Sequence, residues 1–401
     1  MEKIDTHKEI PLDLEETESV CSNCSLGCNI IYHETGDKIY KVTPNRAKDD
    51  GVLCKEGKFG FNYINKNDRL TKSFIRKNDE LIEAELDEAV LEFMSQLKSV
   101  KYVNGKDSIG FLVSQKLTNE QLQKIKEISS ALETDMIGSL DVKEEEIIST
   151  NKYEELYNTE LILTVGDVYE SFAPMGVKIK NLGKPYVSMS ENGTRLDKFT
   201  AESYQVALKD FFEEVLTVVK GESNDVSKEA KKLAKQYKEV KKPMFIVDEK
   251  TVSLEVQKLI KEIAETSEKI NKPHRGIITL KKGANAQGAL DLGFNKSGEE
   301  ILSKVKNGSI KALVVIGENV ENIDELPLEY LAVLDMFKTE TLEKADVVMP
   351  MVSLAESRGT MTRTDGTTQC LNKALKPKTG VSNEKLLDDI LKYLKPNMRA
   401  V

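Results

Sequence analysis

Apolar and polar positions along this chain follow two rhythms, and the change between them falls near residue 77. Before it, residues 29–33 and 38–42 (KIYKV) are short strand-like runs around Thr35-Gly36-Asp37, a turn signal, and they predict a hairpin. After it, apolar runs alternate with amphipathic stretches. Residues 108–114 (SIGFLVS) precede residues 119–132, where Leu122, Ile125, Ile128 and Leu132 recur at helical spacing. Further buried-strand candidates are residues 161–165 (LILTV, ending at Gly166), 185–189 (PYVSM), 243–247 (PMFIV), 313–316 (LVVI) and 345–349 (ADVVM, ending at Pro350). Continuously apolar strands separated by helices predict parallel sheets covered on both faces. Ligands on such sheets sit at the carboxyl ends of strands, which directs attention to Gly166-Asp167 and to residues 190–194, 317–319 and 350–366. Residues 1–19 read as a polar, acidic arm. Residues 221–242 are dense in charge and read as a solvated helix bounding two units.

The cysteines add chemistry to this frame. Cys21, Cys24, Cys28 and Cys54 form the pattern C-x2-C-x3-C-x25-C within a module at residues 20–76, and Cys370 stands alone far downstream. Three thiolates on a tight loop and a fourth from a returning segment are the arrangement that wraps a [4Fe–4S] cubane. Gly27 lets the backbone turn sharply beside Cys28. Structural zinc usually takes two C-x2–4-C pairs, so the three-plus-one asymmetry favours the cluster and leaves zinc as the alternative. Residues 1–20 lack the apolar stretch of a secretory leader, and five cysteines in 401 residues make no disulfide scaffold, so a reducing cytoplasm is expected. Backbone N–H groups of Asn23, Ser25 and Asn29 are candidate donors to sulfur. Phe59, Phe61 and Tyr63 read as core packing that could also shield the cluster. Lys55 and Lys58 would raise its potential; Asp49, Asp50 and Glu56 would lower it. His33 reads as a strand-surface residue, His7 and His274 as lone histidines, and Cys370 as a small buried apolar residue.

Composition excludes more than it assigns. A net charge of −9 argues against nucleic acid as a partner. No apolar run approaches the ~20 residues of a membrane span, and neither a Walker motif nor a G-x-G-x-x-G fingerprint is present. With 39% hydrophobic and 31% charged residues, the chain has a globular balance and is too long for one ordinary core.

Residues 51–76 (GVLCKEGKFGFNYINKNDRLTKSFIR) carry Cys54, Gly57, Asp68-Arg69-Leu70-Thr71 and Ile75-Arg76. This stretch resembles the first domain of molybdopterin oxidoreductases, which include formate dehydrogenase catalytic subunits and the large iron–sulfur subunit of respiratory NADH dehydrogenase. Asn285-Ala286-Gln287-Gly288-Ala289 with Asp291 and Gly293, then Gly317-Glu318-Asn319, continue the resemblance. So do residues 340–369 with Ala345-Asp346-Val347-Val348, Glu356, Gly359-Thr360 and Gly366. The resemblance implies an α/β protein: a small [4Fe–4S] domain at 20–76, then two interlocked doubly wound parallel-sheet domains. One would comprise residues 77–150 and 243–390, and the other would be inserted at 151–242. In full-length members these domains grip two pterin–guanine dinucleotides around Mo or W.

Four departures shape the functional expectation. The chain reaches Val401 without the family's C-terminal capping domain. Residues 133–146, where catalytic members carry a metal-ligating Cys, selenocysteine or Ser, hold no cysteine; Ser139 could ligate but reads as a turn serine. The family's relay lysine, two residues after the last cluster cysteine, is Glu56 here, with Lys55 one residue early as a substitute. The nucleotide-holding loops read Gly166-Asp167-Val168 and Ser188-Met189-Ser190, and an aspartate there repels a pyrophosphate. The resemblance thus implies an electron-transfer subunit with one cluster, held by Cys21, Cys24, Cys28 and Cys54 with Lys55 beside them. It would work in a cytoplasmic NADH dehydrogenase-like or formate dehydrogenase/hydrogenase-type complex with iron–sulfur and flavin partner subunits. The alternatives are a shortened Mo/W enzyme holding molybdopterin guanine dinucleotide, and a scaffold stapled by a cluster or zinc.

Overall fold

The apolar runs fold as two parallel sheets. The computed structural model describes residue 11 and residues 13–142, 147–222 and 225–394. His7, the start of the acidic arm and the end of the 133–146 segment lie outside the described residues.

The expected hairpin is formed by Asn29–Thr35 and Lys38–Pro44, turning at Gly36 with φ of +66°. Ile30 and Tyr32 point inward by alternation, and a bulge at Tyr40, opposite the His33/Glu34 step, brings Ile39 and Val42 to the same face. A third strand, Glu15–Val20, pairs antiparallel with Asn29–Thr35. The end of the acidic segment is therefore an edge strand rather than an arm. Exposed glutamates on such an edge discourage pairing with another chain.

The smaller sheet runs Glu202–Gln205, Tyr186–Ser190, Leu161–Val165, Pro243–Asp248, Gly276–Leu280 in spatial order, all parallel. The inserted unit therefore does not end at 242. Met244–Val247 pair residue for residue with Ile162–Val165, and Gly276–Leu280 extends the sheet beyond them. The charged stretch before residue 243 is not a bounding solvated helix either. Lys228–Glu239 buries Ala230, Leu233, Ala234 and Tyr237 at helical spacing, and Tyr237 meets Phe245 with ring centroids 5.2 Å apart. Lysines occupy its other face, so average charge hid an ordinary amphipathic helix.

The larger sheet runs Lys296–Ser297, Ile137–Ser139, Ile109–Val113, Ala312–Ile316, Tyr330–Asp335, Val347–Pro350, then Ser73–Lys77 and Glu80–Ala84; the last two form an antiparallel edge. Residues 73–77 thus belong to this sheet and not to the cysteine module. Helices Leu86–Asn104, Asn119–Ala131 and Asn383–Leu394 cover one face, and Gly298–Lys306 packs on the other. Thr118 and Gln121 close a capping box on Asn119–Ala131, which buries Leu122, Ile125 and Ile128 completely or nearly so. Each such side chain contributes about 1.5–3 kcal/mol. This packing fixes the strand ends from which the site loops project.

Candidate metal centre

Cys21 follows the strand Glu15–Val20, and its N–H bonds the Cys28 carbonyl at 2.9 Å, closing a loop that carries Cys24. Gly27 turns this loop at φ of +59°, and a Cβ there would stand 2.1 Å from Gln369 Oε1. The loop is clamped from below by both α/β units. Ser25 N–H donates to the Lys281 carbonyl at 3.2 Å, and Lys281 N–H donates to Ser25 Oγ at 2.7 Å. Thr364 N–H donates to the Ser25 carbonyl at 3.2 Å, and Gln369 Nε2 to the Gly27 carbonyl at 2.9 Å.

Cys54 arrives as the N-cap of a short helix, Lys55–Phe59, its Sγ accepting from Gly57 N–H at 3.3 Å. Gly57 is buried, and a Cβ there would lie 3.5 Å from Cys21 Sγ and 3.6 Å from Cys54 Sγ. Any side chain would therefore enter the space the sulfurs face. Burial pushes the Cys21 thiol up to about 12, with Cys24 and Cys54 adding to it, and the Cys24 thiol up to about 11. Burial raises Cys28 well above its ordinary value, and Cys21, Cys24, Asp49 and Cys54 raise it further. Cys21, Cys24 and Cys28 are each held toward the neutral thiol, and a bound cationic group is what would make them thiolates. Among the described residues no three His, Cys, Asp or Glu side chains converge on a single-ion site. Four cysteine thiols are the donor set that a [4Fe–4S] cluster takes.

The expected sulfur donors are corrected in part. Asn23 does donate to Cys21, through its backbone and through Nδ2 at 3.5 Å. Ser25 N–H is taken by Lys281, and Asn29 N–H by Asp49 Oδ2 at 2.7 Å. Leu26 N–H serves Cys24 and Gly57 N–H serves Cys54 instead. Lys55 and Glu56 are exposed on the first turn of the helix. Phe59 is 45% exposed and does not shield the pocket, whereas Phe61 and Tyr63 pack against the Ile30–Tyr32–Ile64 cluster. His33 Nε2 lies 2.8 Å from Thr43 Oγ1 and its Nδ1 lies 3.2 Å from Glu16. Cys370 is exposed, contrary to expectation, because the hairpin Gly359–Thr362/Thr368–Leu371 turns Leu371 inward and its neighbour outward.

Arg69 and Glu356 were legible only through the family resemblance, and the structure joins them. Arg69 NH2 lies 2.7 Å from Glu356 Oε2, with side chains 1% and 0% exposed. Glu356 also accepts from Ser353 N–H, Ser353 Oγ and Lys378 N–H. The pair ties the end of the cysteine module, at Arg69, to the loops beyond Pro350.

The carboxyl ends of the two sheets differ. In the smaller sheet, Asp167 caps its own four-residue helix, Val168–Ser171, through Glu170 N–H at 3.1 Å. Asp248 is fully buried and accepts from Ser171 Oγ and Thr251 Oγ1, both at 2.7 Å, and from Lys250 N–H at 2.9 Å. A Cβ on Gly166 would meet Thr251 Oγ1 at 2.4 Å. Burial, then Glu170, Asp248 and Asp197, push the Asp167 carboxyl up. The N–H groups and hydroxyls next to Asp167 and Asp248 are thus taken by the chain's own carboxylates. The larger sheet keeps a cavity of ≈ 290 Å³ bordered by Asn23, Lys116, Gly317, Asp335, Met351 and Ser353. A second cavity, ≈ 580 Å³, lies between the sheets and is lined by Asp141, Lys250, Lys282 and Glu299 among others. Ser139 is fully buried, facing Glu318 Oε1 at 3.3 Å and accepting from Asp141 N–H, which is the behaviour of a turn serine.

Comparison with known proteins agrees with this architecture. The molybdopterin oxidoreductase Fe4S4 domain matches residues 14–66, and molybdopterin oxidoreductase matches residues 69–384. The chain belongs to the molybdopterin oxidoreductase family, with an N-terminal Fe4S4 domain that supports a [4Fe–4S] cluster; the molybdopterin of the family remains a candidate cofactor. It is similar to the probable oxidoreductase YjgC of Bacillus subtilis, 25% identical over 91% of this chain and 47% of that protein. It is also similar to a formate dehydrogenase subunit alpha of Methanocaldococcus jannaschii, 24% identical over 91% of this chain and 68% of that protein. The fold resembles acetylene hydratase from Pelobacter acetylenicus with a TM-score of 0.68, at 10% identity, covering 94% of this chain and 69% of that one. The chain spans about half the length of the Bacillus relative, 47%. No helix among the described residues is long and apolar enough to cross a membrane.

Proposed function

We propose that this chain is an electron-transfer subunit of a cytoplasmic multi-subunit oxidoreductase, of NADH dehydrogenase-like or formate dehydrogenase/hydrogenase type. One [4Fe–4S] cluster would be held by Cys21, Cys24, Cys28 and Cys54. The observation that carries the reading is the gathering of these four cysteines on one loop and one helix N-cap, in a chain whose smaller-sheet loops spend their N–H and hydroxyl donors on its own Asp167 and Asp248. The bound cluster supplies one-electron chemistry. The chain's residues enclose it, donate N–H groups of Asn23, Leu26 and Gly57 to its thiolates, and keep water away. Electrons would pass to partner iron–sulfur or flavin subunits; the Methanocaldococcus relative is itself described as a subunit. The five free thiols suit a reducing compartment.

A second reading, a Mo/W enzyme, is favoured by the ≈ 290 Å³ cavity of the larger sheet beside Asn23. The test is elemental analysis of protein isolated anaerobically from its native cell, with any associated subunits. The electron-transfer reading expects about four Fe per chain without Mo or W. Stoichiometric Mo or W would replace it with the second reading, and zinc in place of iron would sink both.

A further inference from the structure

We propose that the outer edge of the strand Glu80–Ala84 pairs with the same edge of a second copy of this chain, across a two-fold axis at Ile82. The proposal stands on the larger sheet and is independent of what the cysteines hold.

Glu80–Ala84 ends the larger sheet, and Ser73–Lys77 is the strand it pairs with. Asn78 and Asp79, at φ of +50° and +66°, make the two-residue turn between them. Such a turn closes on a hydrogen-bonded pair. Lys77–Glu80, Ile75–Ile82 and Ser73–Ala84 therefore exchange hydrogen bonds, while Arg76–Leu81 and Phe74–Glu83 do not. Arg76 shows this alternation directly: its N–H turns away from Leu81 and donates to the Asp346 carbonyl at 2.7 Å. The N–H and C=O groups of Leu81 and Glu83 thus point out of the sheet edge. Among the described residues no other segment bonds them.

These four groups are placed symmetrically about Ile82. A second copy running antiparallel, with Ile82 opposite the partner's Ile82, sets Leu81 opposite the partner's Glu83 and Glu83 opposite the partner's Leu81. Both become hydrogen-bonded pairs, and every outward group finds a partner. This is the self-complementary contact a two-fold requires. A slip of one residue would face outward groups with inward ones. A slip of two would leave one pair, and in one direction would set Glu83 against itself.

The side chains agree with that register. Ile82 is 45% exposed, although Ile75, directly across from it, is buried. At the two-fold it enters a non-hydrogen-bonded pair, where side chains approach most closely. Glu80 comes opposite the partner's Ala84 and Glu83 opposite the partner's Leu81, so no acid faces an acid directly. Lys72 already pairs with Glu83 at 3.1 Å. The edge Glu15–Val20 offers nothing comparable, because its exposed positions are all glutamates. One short strand makes a small contact of the transient class, so the dimer forms as concentration rises.

The experiment is sedimentation velocity of the anaerobically isolated full chain from about 1 to about 200 μM, the range of a weak pair. The wild type is expected to move toward twice the monomer mass. Ile82→Lys sets two ammonium groups on the axis and should stay monomeric. Glu83→Pro removes one outward N–H and leaves the ladder to Ser73–Lys77 whole; it should weaken association about tenfold or more. In a Cys370→Ser background, Ile82→Cys should yield a disulfide-linked dimer with oxidised glutathione, which takes up the two thiol hydrogens and leaves as two thiols. Glu80→Cys, away from the axis, should not. Circular dichroism and iron content equal to wild type show that a variant has folded, and Glu83→Pro and Ile82→Cys carry the test if Ile82→Lys does not fold. A wild-type chain that stays monomeric across the range overturns the proposal. So does a dimer that survives Glu83→Pro and fails to cross-link through Ile82→Cys.

Discussion

The cysteine pocket and the carboxyl end of the smaller sheet are both crowded with acidic groups, yet their acids are answered differently. Around Asp167 and Asp248 the chain supplies its own partners: Glu170 N–H, Lys250 N–H and the hydroxyls of Ser171 and Thr251. Around Cys21, Cys24 and Cys28 it supplies a few N–H groups, and burial with mutual repulsion drives the thiols toward the neutral form. Shared architecture therefore does not imply a shared site: at this parallel-sheet end the carboxylates find their partners within the chain, beside the ≈ 580 Å³ cavity that Lys250 and Lys282 line.

The sharpest way to break this contrast is at the pocket. Cys28→Ser should lower iron from about four per chain to below about one, measured by colorimetric iron assay on anaerobic protein. Full iron content in the variant would remove Cys28 from the ligand set. Next in size is the tie between the module and the rest of the chain. Arg69→Ala leaves Glu356 buried without its cation and should cost about 3–5 kcal/mol, seen as an earlier urea midpoint. A loss below about 1 kcal/mol, the worth of a surface pair, would mean the ion pair does not staple these segments. Asp248→Ala tests these internal partners. It leaves two hydroxyls and an N–H without their acceptor and should cost about 1–3 kcal/mol. Unchanged stability would show that water replaces the carboxylate.

The smallest effect concerns Glu318, which is half-buried at the larger sheet. Burial first, then Asp141, pushes its carboxyl from 4.5 up to about 7. Between those values the folded chain binds more protons at this group than the unfolded chain, so its contribution to stability is present below the lower value and lost as pH rises through the upper one. Glu318→Gln should flatten the pH dependence of the urea midpoint in that window; an unaltered slope would assign it to other groups.

The sequence was most legible where a local rule governs. The cysteine spacing, the hairpin around Gly36 and the buried strands at 161–165 and 313–316 all follow from short-range patterns, and each is found in the fold. Long-range pairing was harder. Nothing local tells Pro243–Asp248 to pair with Leu161–Val165, so the inserted unit extends past its expected end. The charge of Lys228–Glu239 concealed its apolar face because lysines outnumber the four buried positions. Ser25 and Asn29 looked like sulfur donors by proximity, but Lys281 and Asp49, both remote in sequence, claim their N–H groups. Cys370 was misplaced because a lone cysteine carries no phase, and only the register of its hairpin turns it outward.

The central claim is that the four thiols share one cluster capable of one-electron transfer. The most direct measurement is quantitative EPR of the dithionite-reduced native protein, with spins counted per chain. The account predicts a reduced [4Fe–4S] signal integrating to about one spin per chain, absent from Cys28→Ser. A silent spectrum from protein that contains one zinc per chain would contradict it.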